Sequence, residues 1–367
     1  MQKKIKIFDL KFNKQYRKKF HKGVDRILDE AFLTNHTYVK KLEKEFCKRN
    51  KTKYSVAVNN GTTAIEIILK CINVKNKKVL VGSNTFVATG LAIKNSGGLP
   101  VPLDIENKFY SLCPKILTKK ISKNIGAVII IHIGGLVTPY LNQIKKICHK
   151  YRVPLVEDCA QAFGSSLGSK KVGNFGLAGA FSFQTTKVVT SGEGGIITTN
   201  NYEFYKKLLS NRFYGVDFNN PLSFIYQGSN YKMTELVALS ALCDLERSES
   251  RISKRIKLAK RYQRNLKNTN WKTLQSTKKT KSSYYKQIIL SPVKRSQVRD
   301  YLEKKKISLT GGVYYKPLHR QPILGIKKDH NFPVSSFFAD NHICPPCYPE
   351  LSLNDIDVIC RYLKKLK

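Results

Sequence analysis

The sequence predicts an α/β protein in which helices cover both faces of a mainly parallel sheet. First, short apolar strands alternate with helical stretches; the strands read SVAV, KVLVGS, AVIIIHI, VPLVEDC, GAFSF and GGIITT. Second, these strands are apolar throughout, as in sheets that are buried on both faces. Such sheets bind ligands at the carboxyl ends of their strands. The segments that follow the strands therefore form the candidate site.

The N-terminal part precedes this sheet and is predicted to be helical over residues 17–50. Its apolar side chains recur at helical spacing: Phe20, Val24, Ile27, Leu28, Val39, Leu42 and Phe46. A short strand at residues 55–58 then runs through Asn-Asn-Gly into a helix with one apolar face, formed by Ile65, Ile68, Leu69 and Ile72. This strand, turn and helix begin the alternating pattern.

The pattern changes near Thr234, where residues 234–266 predict one long helix that becomes heavily charged. A strand (KQIILSP), a helix (SQVRDYLEKKKI), a proline-rich segment and a last helix (NDIDVICRYLKKL) follow. We place a domain boundary near residue 245. The sequence thus predicts a large domain over residues 1–245 and a smaller α/β domain over residues 246–367.

A formal net charge of +41 is the most unusual feature of the composition. It suggests nucleic-acid binding at first, but lysine is spread over the whole chain and no basic arm stands out. We interpret it as a compositional bias and expect neither a nucleic-acid nor a membrane partner. Salt-sensitive retention on DNA would support the other interpretation. The positive field would still attract anionic small molecules.

The chain is expected to be a cytoplasmic protein with free thiols. No apolar run approaches the roughly 20 residues of a membrane span, and the basic start MQKKIKIFDLKF lacks the apolar core of a secretory signal. The nine cysteines are scattered and odd in number, which favours reduced thiols.

The turn that contains Gly61 is a candidate phosphate site. A strand that ends in Asn-Asn-Gly-Thr-Thr, with a helix starting there, presents free N–H groups and the positive helix end to an anion. Gly61 permits a close approach, and Thr62 and Thr63 add hydroxyl donors. A plainly capped helix would have the same pattern. No dinucleotide or P-loop glycine motif is present in the sequence.

Residues 155–195 carry the other candidate groups. Asp158 ends an apolar strand, where a carboxylate needs a cationic or hydrogen-bonding partner; it suits a pyridine nitrogen, and Gln161 suits the ring oxygen beside it. A capping or salt-bridged aspartate is the alternative. Ser182 precedes Lys187 within a glycine-, serine- and threonine-rich loop. A lysine there can form a Schiff base if it is partly buried, although an isolated lysine is more often a surface charge.

The chain resembles the DegT/StrS family of sugar aminotransferases, which are fold-type-I enzymes that use pyridoxal 5′-phosphate. The resemblance rests on NNGTTA, NTFVATG, VEDCAQAFGS, FSFQTTK, SGEGG, GSNYKMTE, FPVSSF and CYPEL, which occur in order over nearly the whole chain. It implies a large domain with a mainly parallel seven-stranded sheet between helices and a smaller C-terminal α/β domain.

The resemblance also implies roles for individual residues. Lys187 matches the lysine that bonds to the cofactor, and Asp158 matches the partner of the pyridine nitrogen. The other matches are Gln161 at the ring oxygen, Phe86 stacked on the ring, Thr62 and Ser182 at the phosphate, Asn230 reaching the phosphate from the other subunit of a homodimer, and Lys232, Tyr314 and His319 near the substrate. For Phe86 a core position is the alternative, and for His319 a plain surface position.

Two features of the sequence stand apart from this pattern. The family has Asn-Tyr-Arg where this chain has Asn-Tyr-Lys at residues 230–232, and lysine lacks the bidentate fork of arginine. His342, Cys344 and Cys347 form an HxCxxC pattern that suggests a metal. A second cluster with matching spacing is missing from the sequence, so we favour a structural role and expect no metal.

The resemblance implies an aminotransferase that moves an amino group from glutamate, or from glutamine, to a nucleotide-linked keto-6-deoxy-sugar. The product would serve polysaccharide or glycan synthesis. Dehydration of the sugar, amination of a non-nucleotide keto-sugar or carbocycle, and a relative without cofactor are the alternatives. Family dehydratases carry histidine at the lysine position, so Lys187 favours transamination.

Overall fold

A seven-stranded sheet forms the centre of the computed structural model, which describes residues 4–309, 312–325 and 331–366. Its strands are β1 (Tyr54–Val58), β2 (Lys78–Gly82), β3 (Leu99–Leu103), β4 (Ile125–Ile131), β5 (Leu155–Asp158), β8 (Ala178–Ser182) and β9 (Gly195–Thr199). They lie in the order β1-β9-β8-β5-β4-β2-β3. Strand β9 is antiparallel to both of its neighbours, and the other pairings are parallel. The predicted fold class is confirmed.

Helices pack on both faces of this sheet because its strands are apolar on both sides. Along β4, Val128 and Ile130 face one core and Ile129 faces the other. The first core is covered by α1 (Lys14–Glu30), α2 (Thr37–Asn50), α5 (Pro114–Lys120), α6 (Leu141–Lys150) and α8 (Glu235–Glu246). The second is covered by α3 (Gly61–Ile72), α4 (Val87–Asn95) and α7 (Tyr202–Arg212).

The C-terminal part has a core of its own. It combines α9 (Ser248–Asn265), α10 (Arg295–Lys304) and α12 (Leu353–Leu363) with an antiparallel sheet of β12 (Lys272–Thr273), β14 (Ile289–Leu290) and β15 (His342–Ile343). Helix α11 (Pro333–Asn341) precedes β15. Ile5 pairs with Ile307, which ties the N-terminal segment to this part. The domain boundary near residue 245 stays a prediction.

Small sheets and turns complete the fold. A three-stranded antiparallel sheet joins β13 (Thr280–Lys281) to β6 (Ser166–Leu167) and β7 (Lys170–Lys171), and β10 (Val216–Asp217) pairs with β11 (Asn220–Phe224) as a hairpin. Single 3-10 turns lie at Ile133–Gly135, Leu318–Arg320 and Pro322–Leu324. Among the helices that the structure describes, we find none with an apolar stretch long enough to cross a membrane.

Two segments that were predicted to be helical are interrupted. Residues 17–50 form two helices, since α1 ends at Ala31 with a left-handed φ of 54°. The predicted helix over residues 234–266 is broken at Arg247 (φ −94°, ψ 3°), whose guanidinium bonds to Asp244 and the Lys11 carbonyl. In the proline-rich segment before the last helix, the chain pairs only over His342–Ile343, with a bridge at 344, because Pro345 and Pro346 have no N–H to donate.

Candidate active site

The candidate site is a cleft of about 600 Å³ at the carboxyl ends of β5 and β8, where α3 and α4 begin. The fold brings eight of the twelve predicted site residues to this cleft: Gly61, Thr62, Thr63, Phe86, Asp158, Gln161, Ser182 and Lys187. Four chain segments that are far apart in sequence supply them. The alternating strands and helices therefore place the motifs together, as the sequence predicts.

The start of α3 forms an anion cradle against Ser182. The Asn60 side chain caps the helix by accepting from the Thr63 N–H at 2.8 Å, and the Gly61 and Thr62 N–H groups have no acceptor among the described residues. A Cβ on Gly61 would lie 2.7 Å from the Ser182 Cβ, so only glycine lets the two segments meet. Open N–H groups at a helix start, with a serine hydroxyl opposite, suit a phosphate.

Asp158 is a buried carboxylate that faces the cleft. Its Oδ2 accepts from the Thr89 hydroxyl at 2.9 Å, and its Oδ1 accepts from the Ala160 N–H at 3.1 Å. Burial raises the pKa of Asp158, while these two donors and the charges of Lys187 and His132 act in the opposite direction. Two neutral donors do not fully offset the free-energy cost of burying a charged carboxylate. A protonated ring nitrogen would supply the missing positive partner.

Gln161 and Phe86 flank Asp158. The Gly134 N–H donates to Gln161 Oε1 at 2.7 Å, so this side chain is fixed with its other amide atom available for a ligand. Phe86 caps α4 and is 56% exposed at the cleft, so the core position considered for it is excluded. An exposed ring beside a buried carboxylate provides an apolar surface for a flat ring.

Lys187 lies in the loop between β8 and β9. The loop is held at its base by the Phe183 and Ser191 N–H groups, which donate to the Gly194 and Phe183 carbonyls at 2.8 and 2.9 Å. The Lys187 Nζ lies 4.8 Å from the centroid of the Tyr285 ring. The lysine is therefore a cleft residue in contact with an aromatic ring and not an isolated surface charge.

Several cleft residues were missed from the sequence. Thr89 bonds to Asp158, and Tyr285, Val313 and Glu193 line the cleft. Thr89 follows Phe86 by one helical turn, and this spacing was a usable signal for a side chain on the same face. Tyr285 and Val313 come from the C-terminal part and have no motif to mark them.

Asn230 and Lys232 lie outside the cleft of their own chain. Asn230 is exposed and bridges Phe213, and the Lys232 Nζ lies 4.3 Å from the centroid of the Phe213 ring. Their predicted roles stay predictions, and the role of Asn230 requires a second subunit.

Tyr314 and His319 are buried near the cleft but do not line it. The Tyr314 hydroxyl is buried and has no partner among the described residues; burial raises its pKa well above the ordinary value. His319 Nδ1 lies 2.6 Å from the Ser83 hydroxyl, and its ring stacks on Phe332 at 4.3 Å between centroids. His319 is thus not a surface residue, and the substrate roles of both residues stay predictions.

The HxCxxC side chains are used for packing. His342 Nε2 accepts from the Val313 N–H at 3.0 Å, and its Nδ1 lies 2.6 Å from the Phe338 carbonyl, so both nitrogens have backbone partners. Burial lowers the pKa of His342 to about 3 and raises that of Cys344 to about 12.

A second group of metal-type ligands, His132, Glu157 and Cys159, is buried beside Asp158. The Glu157 carboxylate accepts from the N–H groups of Gly173, Phe175 and Gly176 and contacts His132 Nε2 at 3.1 Å. The carboxylate is therefore already satisfied within the protein. Burial raises the pKa of Cys159 well above the ordinary value, which keeps this ligand a thiol.

Pyridoxal phosphate fits this donor set. The open N–H groups of Gly61 and Thr62, with Ser182, suit its phosphate, the undercompensated Asp158 suits its ring nitrogen, and Phe86 offers a surface for its ring. Lys187 is the cleft amine that suits its aldehyde. With Gln161 for the ring oxygen, the cleft has a suitable group for the phosphate, the ring nitrogen, the ring oxygen and the aldehyde of the cofactor.

Comparison with known proteins agrees with the geometry. The model of the DegT/DnrJ/EryC1/StrS aminotransferase family matches residues 14–364. GDP-perosamine synthase of Escherichia coli O157:H7 is 29% identical over 346 residues, covering 93% of this chain and 94% of that protein. The dTDP-3-amino-3,6-dideoxy-alpha-D-galactopyranose transaminase of Aneurinibacillus thermoaerophilus is 27% identical and covers 96% and 97%, respectively.

Solved structures show the same fold. DesV of S. venezuelae, in complex with a ketimine intermediate, covers both chains completely with a TM-score of 0.93 at 23% identity. The PLP form of Spr1654 of Streptococcus pneumoniae covers 99% of this chain and 98% of its own with a TM-score of 0.90, also at 23% identity. At this identity the likeness establishes the fold.

Proposed function

The chain belongs to the DegT/DnrJ/EryC1/StrS aminotransferase family, and on that premise we propose that it moves an amino group from L-glutamate to a nucleotide-linked keto-6-deoxy-sugar. The predicted family, enzyme class and cofactor are confirmed: it is a sugar aminotransferase that depends on pyridoxal phosphate. Relatives named for GDP- and dTDP-linked amino sugars support the nucleotide-linked substrate. A net charge of +41 suits such an anion.

One observation carries the proposal. Asp158, Lys187 and the anion cradle formed by Gly61 and Ser182 line the same cleft. Bound pyridoxal phosphate supplies an electron sink for the pair that remains when a proton leaves the carbon next to the amine. Asp158 would hold the ring nitrogen protonated, Gln161 would orient the ring oxygen, and Lys187 Nζ would take up and return the proton.

The proposed active enzyme is a homodimer with shared sites. Segment 213–226 exposes a series of apolar side chains: Phe213, Phe218, Leu222, Phe224 and Ile225, of which Leu222 is 92% exposed. Exposed apolar surface of this extent favours a protein partner. A second copy that covers it would account for these residues and would bring Asn230 toward a cofactor phosphate.

Borohydride reduction followed by peptide mass spectrometry tests the role of Lys187. We expect the cofactor adduct on Lys187, and K187A should lose at least 100-fold in amine formation, because a positioned acid–base group contributes roughly 10²–10⁴-fold. K170A, at an exposed lysine of the same domain, is the matched control and should retain both the adduct on Lys187 and the rate of amine formation. An adduct on another lysine would refute the assignment.

A second experiment tests the reaction. The enzyme is incubated with glutamate and a panel of nucleotide keto-sugars, and the structure of the product is determined by NMR. Amination of a nucleotide-linked keto-6-deoxy-sugar is the expected result. Deoxygenation would identify a dehydratase, and amination only of free keto-sugars or carbocycles would refute the nucleotide-linked substrate.

A further inference from the structure

The Tyr285 ring lies against Lys187, and no sequence motif marks this tyrosine. Its ring centroid lies 4.8 Å from the Lys187 Nζ and 5.3 Å from the Lys286 Nζ, and the side chain is 8% exposed. It comes from the C-terminal part, whereas Lys187 comes from the large sheet. The cleft therefore has a wall from a second part of the chain directly against its reactive amine.

Hydrogen bonds fix the orientation of the Tyr285 ring. The Thr186 hydroxyl donates to Gln184 Oε1 at 2.8 Å and lies 2.8 Å from the Tyr285 hydroxyl. Because the single proton of Thr186 goes to Gln184, Tyr285 must donate to Thr186. The residue just before Lys187 thus holds the ring that faces Lys187.

Packing prevents the ring from turning away. Tyr285 forms a small cluster with Val188 and Ile252, and its carbonyl accepts from Arg255 at 3.1 Å. Burial would raise the pKa of Tyr285, but the charges of Lys187, Lys286 and Arg255 hold it below the ordinary value. Lys187 and Asp158, the carboxylate described above, line the same cleft. The ring therefore sits among cations, with its electron-rich face toward the amine.

We propose that Tyr285 is a positioning residue for Lys187, whose ring face attracts the protonated nitrogen and holds it at one place in the cleft. The inference rests on the proposed role of Lys187. When Lys187 Nζ takes a proton from the substrate carbon, the ring stabilises the new positive charge, and the same proton later leaves from this fixed position. No proton passes to Tyr285, so the phenol stays unchanged.

The test compares Y285L, Y285F and the control Y284L in the holoenzyme. Tyr284 is an equally buried neighbour whose hydroxyl bonds to Gln263 and the Ser276 N–H instead. We measure the pH at which the absorbance of the Lys187-bound cofactor changes, and the single-turnover rate with glutamate. In Y285L the midpoint should fall by about half a pH unit and the rate by roughly 3- to 10-fold, as expected for a lost cation–π contact.

Y285F keeps the ring, so its midpoint should stay near that of the wild type, and Y284L should not move it. An unchanged midpoint in Y285L, or an equal shift in Y284L, would overturn the inference. If Y285L holds no cofactor, Y285M decides, because it also removes the aromatic ring and should shift the midpoint in the same direction; an unchanged midpoint in Y285M overturns the inference. An adduct away from Lys187 would instead refute the proposed function.

Discussion

The cofactor side of the cleft and the segment of residues 213–232 are built in opposite ways. On the cofactor side, Asp158 and Gln161 are buried and bonded to Thr89, Ala160 and Gly134. Segment 213–232 instead exposes most of its large apolar side chains, as well as Asn230. In the first region, these bonds all form within one chain. The second has the surface of a region that is completed by another molecule.

From this contrast we propose that one chain supplies most of the cofactor contacts and that a second copy completes the site. The buried side needs only the sheet and two helix starts, so its geometry follows from local packing. The exposed segment gains burial for its apolar groups only on contact with a partner. The next three predictions test this division between the cofactor side and segment 213–232.

The largest effect is expected from D158N, compared with D244N. D158N should lower amine formation by roughly 100-fold or more, since a charged hydrogen bond to the ring nitrogen is lost. Burial raises the pKa of Asp158 above its value in the unfolded chain, so the stability of the folded protein falls as the pH rises from the unfolded pKa through the folded one, and above that range the charged carboxylate costs stability. The cofactor-free D158N protein should therefore be at least as stable as the wild type.

D244N is the control because Asp244 is equally buried but is fully paired, with the Thr190 N–H at 2.8 Å and Arg247 at 2.6 Å. It should lower the free energy of unfolding and keep the cofactor. Thermal unfolding and cofactor absorbance measure both effects. If cofactor-free D158N were destabilised as much as D244N, Asp158 would be a structural residue.

The second effect concerns the shared site. N230A should weaken cofactor binding by roughly 10-fold, which corresponds to one lost bond to a phosphate. Mixing unfolded K187A and N230A chains and refolding them together should then restore roughly a quarter of wild-type activity. Half of the dimers would be mixed, and each mixed dimer would contain one intact site.

At a limiting cofactor concentration, K187A refolded alone should regain no activity, and N230A refolded alone should show only about a tenth of the wild-type activity. If mixing restores no activity although light scattering shows normal dimers, Asn230 belongs to the site of its own chain. The proposed division between the cofactor side and segment 213–232 would then be wrong.

The smallest effect concerns His342, behind the cleft residue Val313. Its pKa is lowered to about 3 by burial, so the unfolded chain binds more protons than the folded one between about pH 6.5 and pH 3. Stability should fall with acidification by about 1 kcal/mol from pH 6 to pH 5 through this group alone. H342Q should lack that part of the slope in denaturant titrations, whereas H149Q, at an exposed histidine, should keep it. Equal slopes would show that His342 is not the group responsible.

The sequence was most informative where local signals and strand ends coincide. Four site residues lie at the end of a strand, in the loop after a strand or at the start of a helix: Asp158, Ser182, Lys187 and Gly61. The periodicity of the chain therefore placed them at one edge of the sheet. Thr89 lacked a motif, and Tyr285 depends on how the C-terminal part packs on the loop. Long-range packing of this kind leaves no pattern in a local window.

The errors have the same origin. Residues 234–266 have helical spacing throughout, but Asp244 and the Lys11 carbonyl draw the Arg247 side chain away and the backbone breaks there. The surface position considered for His319 was wrong, because its partner, Ser83, lies more than 200 positions away in the sequence. A single residue type does not reveal such partners.

Because strand β9 is the antiparallel neighbour of β8, the loop that carries Lys187 can vary in length. The segment of residues 183–194 leaves the sheet at β8 and returns to it next door, so both of its ends are anchored in neighbouring strands. Insertions or deletions within it would change how far the amine reaches without altering the strand order. The reach of Lys187 into the cleft can thus be adjusted by loop length, while the cradle at Gly61 and the carboxylate at Asp158 stay in place.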